Sequence, residues 1–168
     1  MSQPIPPRIY LAGFDVFRPD AVEHGRYLKA LCEAHGLEGL YPFDNEVPPA
    51  ATPQLTARLI CDANIAMIRQ CDAVLANLNL FRGYEPDSGT AFEVGMAVAL
   101  GKPVWAYFES NSTLREVIPH DAHGLDEWGF EVEDFALPRN LMLACTWAGS
   151  SHSAEVGVEA LSRYLRKQ

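Results

Sequence analysis

The chain of 168 residues has few positive charges. Lys and Arg number 13 against 22 Asp and Glu, a formal net charge of -9, and no Lys/Arg-rich run offsets the imbalance. A nucleic-acid backbone is therefore an unfavourable partner. Long hydrophobic runs are missing too, so no segment is long enough to span a bilayer as a helix. The stretch Met1 to Pro7 lacks the basic and apolar blocks of a signal peptide, and the expectation is a cytoplasmic protein. No Cys-x-x-Cys pair occurs among Cys32, Cys61, Cys71 and Cys145. All four stand in apolar or helical contexts and are expected to be reduced and mostly buried. The sequence has neither Gly-x-x-x-x-Gly-Lys nor Gly-x-Gly-x-x-Gly, so Gly13 alone is no dinucleotide fingerprint.

What remains is an ordinary globular composition, 48% hydrophobic and 21% charged, of a length that suits one domain over residues 1–168. Apolar runs and helical periodicity alternate along it. Arg8 to Ala12, Leu37 to Tyr41, Ala73 to Leu78 and Pro103 to Phe108 read as strands. Ala21 to His35 reads as a helix with a stripe of Val22, Tyr27 (or Gly25), Leu28, Leu31 and Cys32. Pro53 to Gln70 follows as a helix with Thr52 as its cap. Thr90 to Leu100 and Ser153 to Lys167 are two more. His120 to Glu133 is a polar insertion, and Arg139 to Trp147 a packed helix or extended segment. The alternation predicts an α/β, doubly wound (flavodoxin- or Rossmann-like), mainly parallel five-stranded sheet flanked by helices. Such sheets bind ligands beyond the carboxyl ends of their strands. That rule gathers Gly13 to Phe17, Asn77 to Asp87 and Phe108 to Asn111 on one rim.

On that rim an apolar strand runs into a glycine-bearing loop that opens a helix, with Asp87 and Glu93 six residues apart. Thr90-Ala91-Phe92-Glu93 matches a capping box, in which Glu93 would only tie off the helix. The alternative is a carboxylate of the first helical turn, kept ionised by the helix dipole and able to attack the anomeric carbon of a sugar. Asp87 is either a turn or N-cap residue or the group that supplies or relays a proton to the leaving base. Asp72 closes a turn, and Asp62 suits a solvated helix face. Tyr10, Phe14, Phe17 and Phe81 cluster near the rim, as core or as a surface for a flat base. Arg82-Gly83 could hold a phosphate. His120-x-x-His123 has metal spacing but no third ligand nearby, so no metal is expected. Ser151-His152-Ser153 lacks a nucleophile-elbow context.

These residues occur in an order that resembles the nucleoside 2-deoxyribosyltransferases. The matching blocks are Ile9-Tyr10-Leu11-Ala12-Gly13, Asp15-Val16-Phe17, Tyr41-Pro42-Phe43-Asp44, Asp72 to Leu78, Phe81-Arg82-Gly83, Pro86 to Gly95, Gly101-Lys102-Pro103-Val104 and Asn140 to Leu143. The Asp-Ser-Gly-Thr-x-x-Glu-x-Gly block is the specific one. The resemblance implies cofactor-free exchange of the nucleobase of 2'-deoxyribonucleosides, purines preferred, by double displacement through a deoxyribosyl-glutamate. It implies Glu93 as nucleophile and Asp87 as the group assisting base protonation. It implies a substrate site drawn from Tyr10, Gly13, Phe14, Asp15, Phe17, Asn64, Arg82, Gly83, Ser88, Gly89 and Asn140. The family's helix acid falls on the amide Asn64, with Asp62 nearby at a different spacing from Asp72. Phe14 stands where related sequences often carry Pro. The late Asn, which reaches a neighbouring chain's sugar, falls on Asn140, so the resemblance implies a homo-oligomer with shared sites. The partners implied are deoxyribonucleosides and free nucleobases. Competing readings are N-glycoside hydrolysis of a deoxynucleoside or deoxynucleotide, and a nucleotide-binding module without catalysis.

Overall fold

In the computed structural model, which describes residues 5–46, 48 and 51–168, five strands form one parallel sheet in the order β2-β1-β3-β4-β5. They are β1 (Arg8–Ala12), β2 (Glu38–Leu40), β3 (Ala73–Asn77), β4 (Val104–Tyr107) and β5 (Gly149–Ser151). The principal helices are α1 (Ala21–Ala34), α2 (Pro53–Gln70), α3 (Ser88–Ala99) and α6 (Ala154–Leu165), with single turns α4 (Leu114–Val117) and α5 (Leu141–Ala144). The expected doubly wound sheet is what forms, and β1 and β3 are central because both faces of each are apolar.

The two-residue period of the strands sorts the core into two layers. Ile9, Leu11, Ala73 and Leu75 face α1 and α6, packing on Leu28, Cys32, Val158 and Leu161. Tyr10, Ala12, Val74 and Ala76 face the other way, toward Met67 and Ile68 of α2 and Val94 and Ala97 of α3. This alternation aims the Tyr10 side chain at α3.

Four local expectations change. The strand β5, Gly-Ser-Ser, lies in a segment that shows no strand pattern. It pairs because Gly149 leaves room for the Trp105 indole, whose ring a Cβ would meet at 2.4 Å, and because Trp105 Nε1 donates to Ser151 Oγ at 2.9 Å. On α1 the buried positions are Ala21, Gly25, Leu28 and Cys32, while Val22 and Tyr27 are exposed. Only Cys32 and Cys71 are buried; Cys61 and Cys145 are exposed on outward-facing turns. Between Arg139 and Trp147 only the single turn α5 is helical, with Leu143 buried and Met142 exposed. Asp72 does close a turn, its Oδ2 accepting from Arg8 N at 2.7 Å, and Asp62 is solvated beside Arg58. His120 turns its Nδ1 to the Ile118 carbonyl, 2.8 Å away.

Candidate active site

The helix that carries Glu93 starts three residues earlier than its capping-box pattern predicts. Asp87 is the N-cap: its Oδ2 accepts from Thr90 N at 2.9 Å and Thr90 Oγ1 at 3.0 Å. Thr90 is thereby a first-turn residue rather than a cap, and Glu93 moves into the second turn. The capping-box reading of Glu93 is wrong, and so is its assignment to the first turn with its dipole. The physical reason is that Asp87 satisfies the free N–H groups of the helix start, which releases Glu93 to another partner.

That partner is Tyr10. Its hydroxyl donates to Glu93 Oε1 at 2.5 Å. Burial pushes the Glu93 carboxyl up to about 7; the Tyr10 bond opposes this rise, and the charge of Asp87 adds to it. The expectation of a carboxylate kept ionised by the helix dipole is thus replaced by one that titrates near neutrality. Burial, then the negative charge of Glu93 and their hydrogen bond, hold the Tyr10 phenol far above its ordinary value, so it remains a donor.

Glu93 opens on a cavity of about 820 Å³ between the first rim turn, α2 and the start of α3. Val16, Phe17, Val22, Phe43 and Ile60 give it apolar walls; Gly13 and Gly89 bring backbone close; Asn45, Asn64, Thr56, Asp87 and Glu93 supply polar groups. Asn45 Nδ2 donates to the Pro42 carbonyl at 3.3 Å and to Asn64 Oδ1 at 3.2 Å, tying the loop after β2 to α2. No described residue lining this cavity is basic.

The structure divides the residues that the sequence gathers. Gly13, Phe17, Asn64, Asp87, Gly89 and Glu93 share the cavity, and Tyr10 joins through its bond to Glu93. Phe14 and Asp15 face a different cavity on the other side of the rim turn. Asp15 is buried and accepts from Asn77 Nδ2 at 2.9 Å, a contact that Gly13 permits, since a Cβ there would lie 2.6 Å from Asp15 Oδ2. Phe81 stacks on Phe14 and Phe17 at 4.7 and 5.6 Å, and the Arg82 guanidinium lies over Phe81 and Phe17. Gly83 is exposed beside Arg82, both with positive φ in the loop after β3. Ser88 and Asn140 line a groove between α3 and α5, outside the Glu93 cavity. Asn140 caps α5 through Met142 N at 3.0 Å and bonds Glu133. Sequence reasoning missed Asn45, Thr56 and Ile60, which sit on a Pro-rich loop and an outward helix face that carry no motif, and it counted Phe43 only within the Tyr41-Pro42-Phe43-Asp44 block without placing it in the site.

Two acids on one helix start, an apolar slot and a tyrosine hydroxyl on the inner acid suit nucleophilic attack on a glycosidic carbon. Comparison with known proteins agrees in kind. Residues 9–142 match the family model described as nucleoside 2-deoxyribosyltransferase. A solved Leishmania mexicana 2-desoxiribosyltransferase is 35% identical, covers 95% of this chain and 99% of its own, and superposes with a TM-score of 0.80. An uncharacterised Schizosaccharomyces pombe protein is 38% identical over 101 residues, 58% of this chain and 48% of its own. The mouse 5-hydroxymethyl-dUMP N-hydrolase is 35% identical over 81 residues, 47% of this chain and 42% of its own. The chain thus matches less than half the length of these two relatives. Glu93, Asp87 and Tyr10 all lie within the matched span, and the chain belongs to the nucleoside 2-deoxyribosyltransferase family.

Proposed function

We propose that the chain exchanges the base of 2'-deoxyribonucleosides by double displacement, with Glu93 as nucleophile. The observation that carries this reading is the Glu93 carboxylate, held by the Tyr10 hydroxyl at 2.5 Å and facing a largely apolar cavity beside Asp87.

In the first step a Glu93 oxygen bonds to C1' and the C1'–N bond breaks. The electron pair leaves with the base, which takes a proton delivered through Asp87. Asp87 holds Thr90 through Oδ2 alone, and Oδ1 accepts no hydrogen bond from the described residues, which leaves it available to the base. In the second step the incoming base attacks C1', its proton returns by the same route, and Glu93 leaves as carboxylate. The missing 2'-hydroxyl eases the oxocarbenium-like transition state, so one carboxylate and close positioning suffice. The apolar walls of Val16, Phe17, Phe43 and Ile60 favour a flat base over water as the second nucleophile.

Hydrolysis is the second reading, and the name of the mouse relative, an N-hydrolase of a nucleoside monophosphate, favours it. A 5'-phosphate would meet two carboxylates and no basic residue among the described lining of this cavity, which favours an unphosphorylated substrate. Incubation with deoxyinosine and adenine followed by chromatography tests the two readings. Deoxyadenosine supports exchange, free deoxyribose supports hydrolysis, and unchanged deoxyinosine would overturn both purine exchange and nucleoside hydrolysis, with a parallel incubation of deoxyinosine 5'-monophosphate testing hydrolysis of a nucleotide.

A further inference from the structure

The turn Phe14–Phe17 presents its two ends to opposite sides of the rim. Val16 and Phe17, with Gly13 before them, line the Glu93 cavity, while Asp15 points away from it, toward β4 and α1. A four-residue 3-10 turn has poor internal hydrogen-bond geometry and does not hold its own place. The bond from Arg18 N to the Asp15 carbonyl, at 3.1 Å, closes the turn but ties it to no other element.

The Asp15 side chain ties it to three. Oδ2 accepts from Asn77 Nδ2 at the end of β3, at 2.9 Å, and from the Tyr107 hydroxyl at the end of β4, at 3.4 Å. Oδ1 lies 3.2 Å from His24 Nε2 on α1. Gly13 permits the convergence, because a Cβ there would lie 2.6 Å from Asp15 Oδ2 and 2.8 Å from Asn77 Cβ. The tie continues along the rim. Asn77 Oδ1 accepts from Asn79 Nδ2 at 2.8 Å, and Asn79 Oδ1 accepts from Glu109 N at 2.9 Å.

Asp15 is 5% exposed, and burying a carboxylate costs free energy that an apolar residue would not. What the carboxylate adds is direction. Its bonds fix the position and the rotation of the turn, whereas the stack of Phe81 on Phe14 and Phe17, at 4.7 and 5.6 Å, permits sliding. With both oxygens engaged on the side away from Glu93, Asp15 acts through the turn and not on the substrate. The walls it steadies are two of those that shape the base slot. A wall displaced by about 1 Å would loosen a flat base and admit water.

We infer that Asp15 is a positioning residue of the base slot: it fixes the turn that presents Val16 and Phe17 to the Glu93 cavity, and so favours a base over water in taking the sugar. The inference rests on the base-exchange reading.

The test repeats the incubation with deoxyinosine and adenine and reads the ratio of deoxyadenosine to free deoxyribose. Asp15→Ala should lower that ratio about ten-fold at a fixed adenine concentration, and raise the KM for adenine. Asp15→Asn, whose amide oxygen can still accept from Asn77 and Tyr107, should keep most of the wild-type ratio. Asn77 lies outside both the turn and the described lining of the Glu93 cavity. Asn77→Ala should nevertheless lower the ratio, and Asp15→Ala/Asn77→Ala should be little worse than the worse single variant. The acid limb of kcat/KM should stay where wild type has it in all of them. Loss of folded protein lowers both products together and leaves their ratio unchanged. An unchanged ratio in Asp15→Ala, or a displaced acid limb, would overturn the inference. A wild type that makes no deoxyadenosine would instead overturn the base-exchange reading. NMR decides the positioning role independently of the reaction: the Phe17 ring protons should shift in Asn77→Ala while the Val104 methyls stay still. An unmoved Phe17 would overturn the inference whatever the products.

Discussion

The Tyr10 hydroxyl on β1 donates to Glu93 Oε1 on α3 across 2.5 Å, joining residues 83 positions apart in sequence. The bond stabilises the ionised form of a carboxylate that burial otherwise drives toward its acid form. Tyr10→Phe should therefore raise the Glu93 pKa above about 7 and move the acid limb of kcat/KM to higher pH. Activity lost at pH 7 should partly return at pH 8.5. A uniform loss at all pH values would mean that Tyr10 acts only by packing.

Asp87 makes the opposite contribution. Its charge raises the Glu93 pKa, so Asp87→Asn should shift the same acid limb to lower pH. Asparagine cannot deliver a proton, so kcat should fall as well, and more for bases that leave poorly. Equal damage for good and poor leaving groups would reduce Asp87 to its capping role at Thr90.

Glu93 should also limit stability. Its carboxyl has an ordinary value of 4.5 and stands at about 7 when folded, so the folded state holds the proton more tightly. Stability is fully present below pH 4.5 and declines as pH rises to about 7, where the loss is complete. Glu93→Gln should match the parent at pH 4 and exceed it at pH 8 by up to about 3 kcal/mol. Urea denaturation at both pH values checks this; parallel behaviour would mean that the carboxylate is solvated.

Asn140 lies in the α3/α5 groove with Ser88 and not in the Glu93 cavity. If chains share sites, it serves a neighbour. Mixing inactive Glu93→Ala with inactive Asn140→Ala under subunit exchange should restore part of the activity. A mixture as inactive as its parents after confirmed exchange would mean that Asn140 acts within its own chain or only as the cap of α5.

Much of this was legible in the sequence because burial writes itself into composition. Ala73 to Asn77 is nearly all apolar and forms a central strand, and the Asp87/Glu93 pair stands at the rim where β3 delivers it. The start of α3 was not legible, because two capping patterns overlap there. Asp87-x-x-Thr90 and Thr90-x-x-Glu93 are both sound locally, and the choice follows from a tertiary partner, Tyr10, that no local window contains. The inward turn of Asp15 depends on Gly13 and Asn77 meeting across β1 and β3. Asn45 reaches the cavity from a loop whose only periodicity is proline. Strand β5 is held by its fit to Trp105 rather than by strand propensity.

The central claim is a covalent bond between Glu93 and the sugar. A 2-fluoro-2-deoxy-arabinosyl nucleoside slows both steps, because fluorine destabilises positive charge at C1', and so lets the intermediate accumulate. Intact-mass analysis of wild type during turnover should show one deoxyfluorosugar per chain, mapped by peptide analysis to Glu93 and absent from Glu93→Ala. An unmodified wild-type mass under those conditions, or the sugar on another residue, would contradict the account.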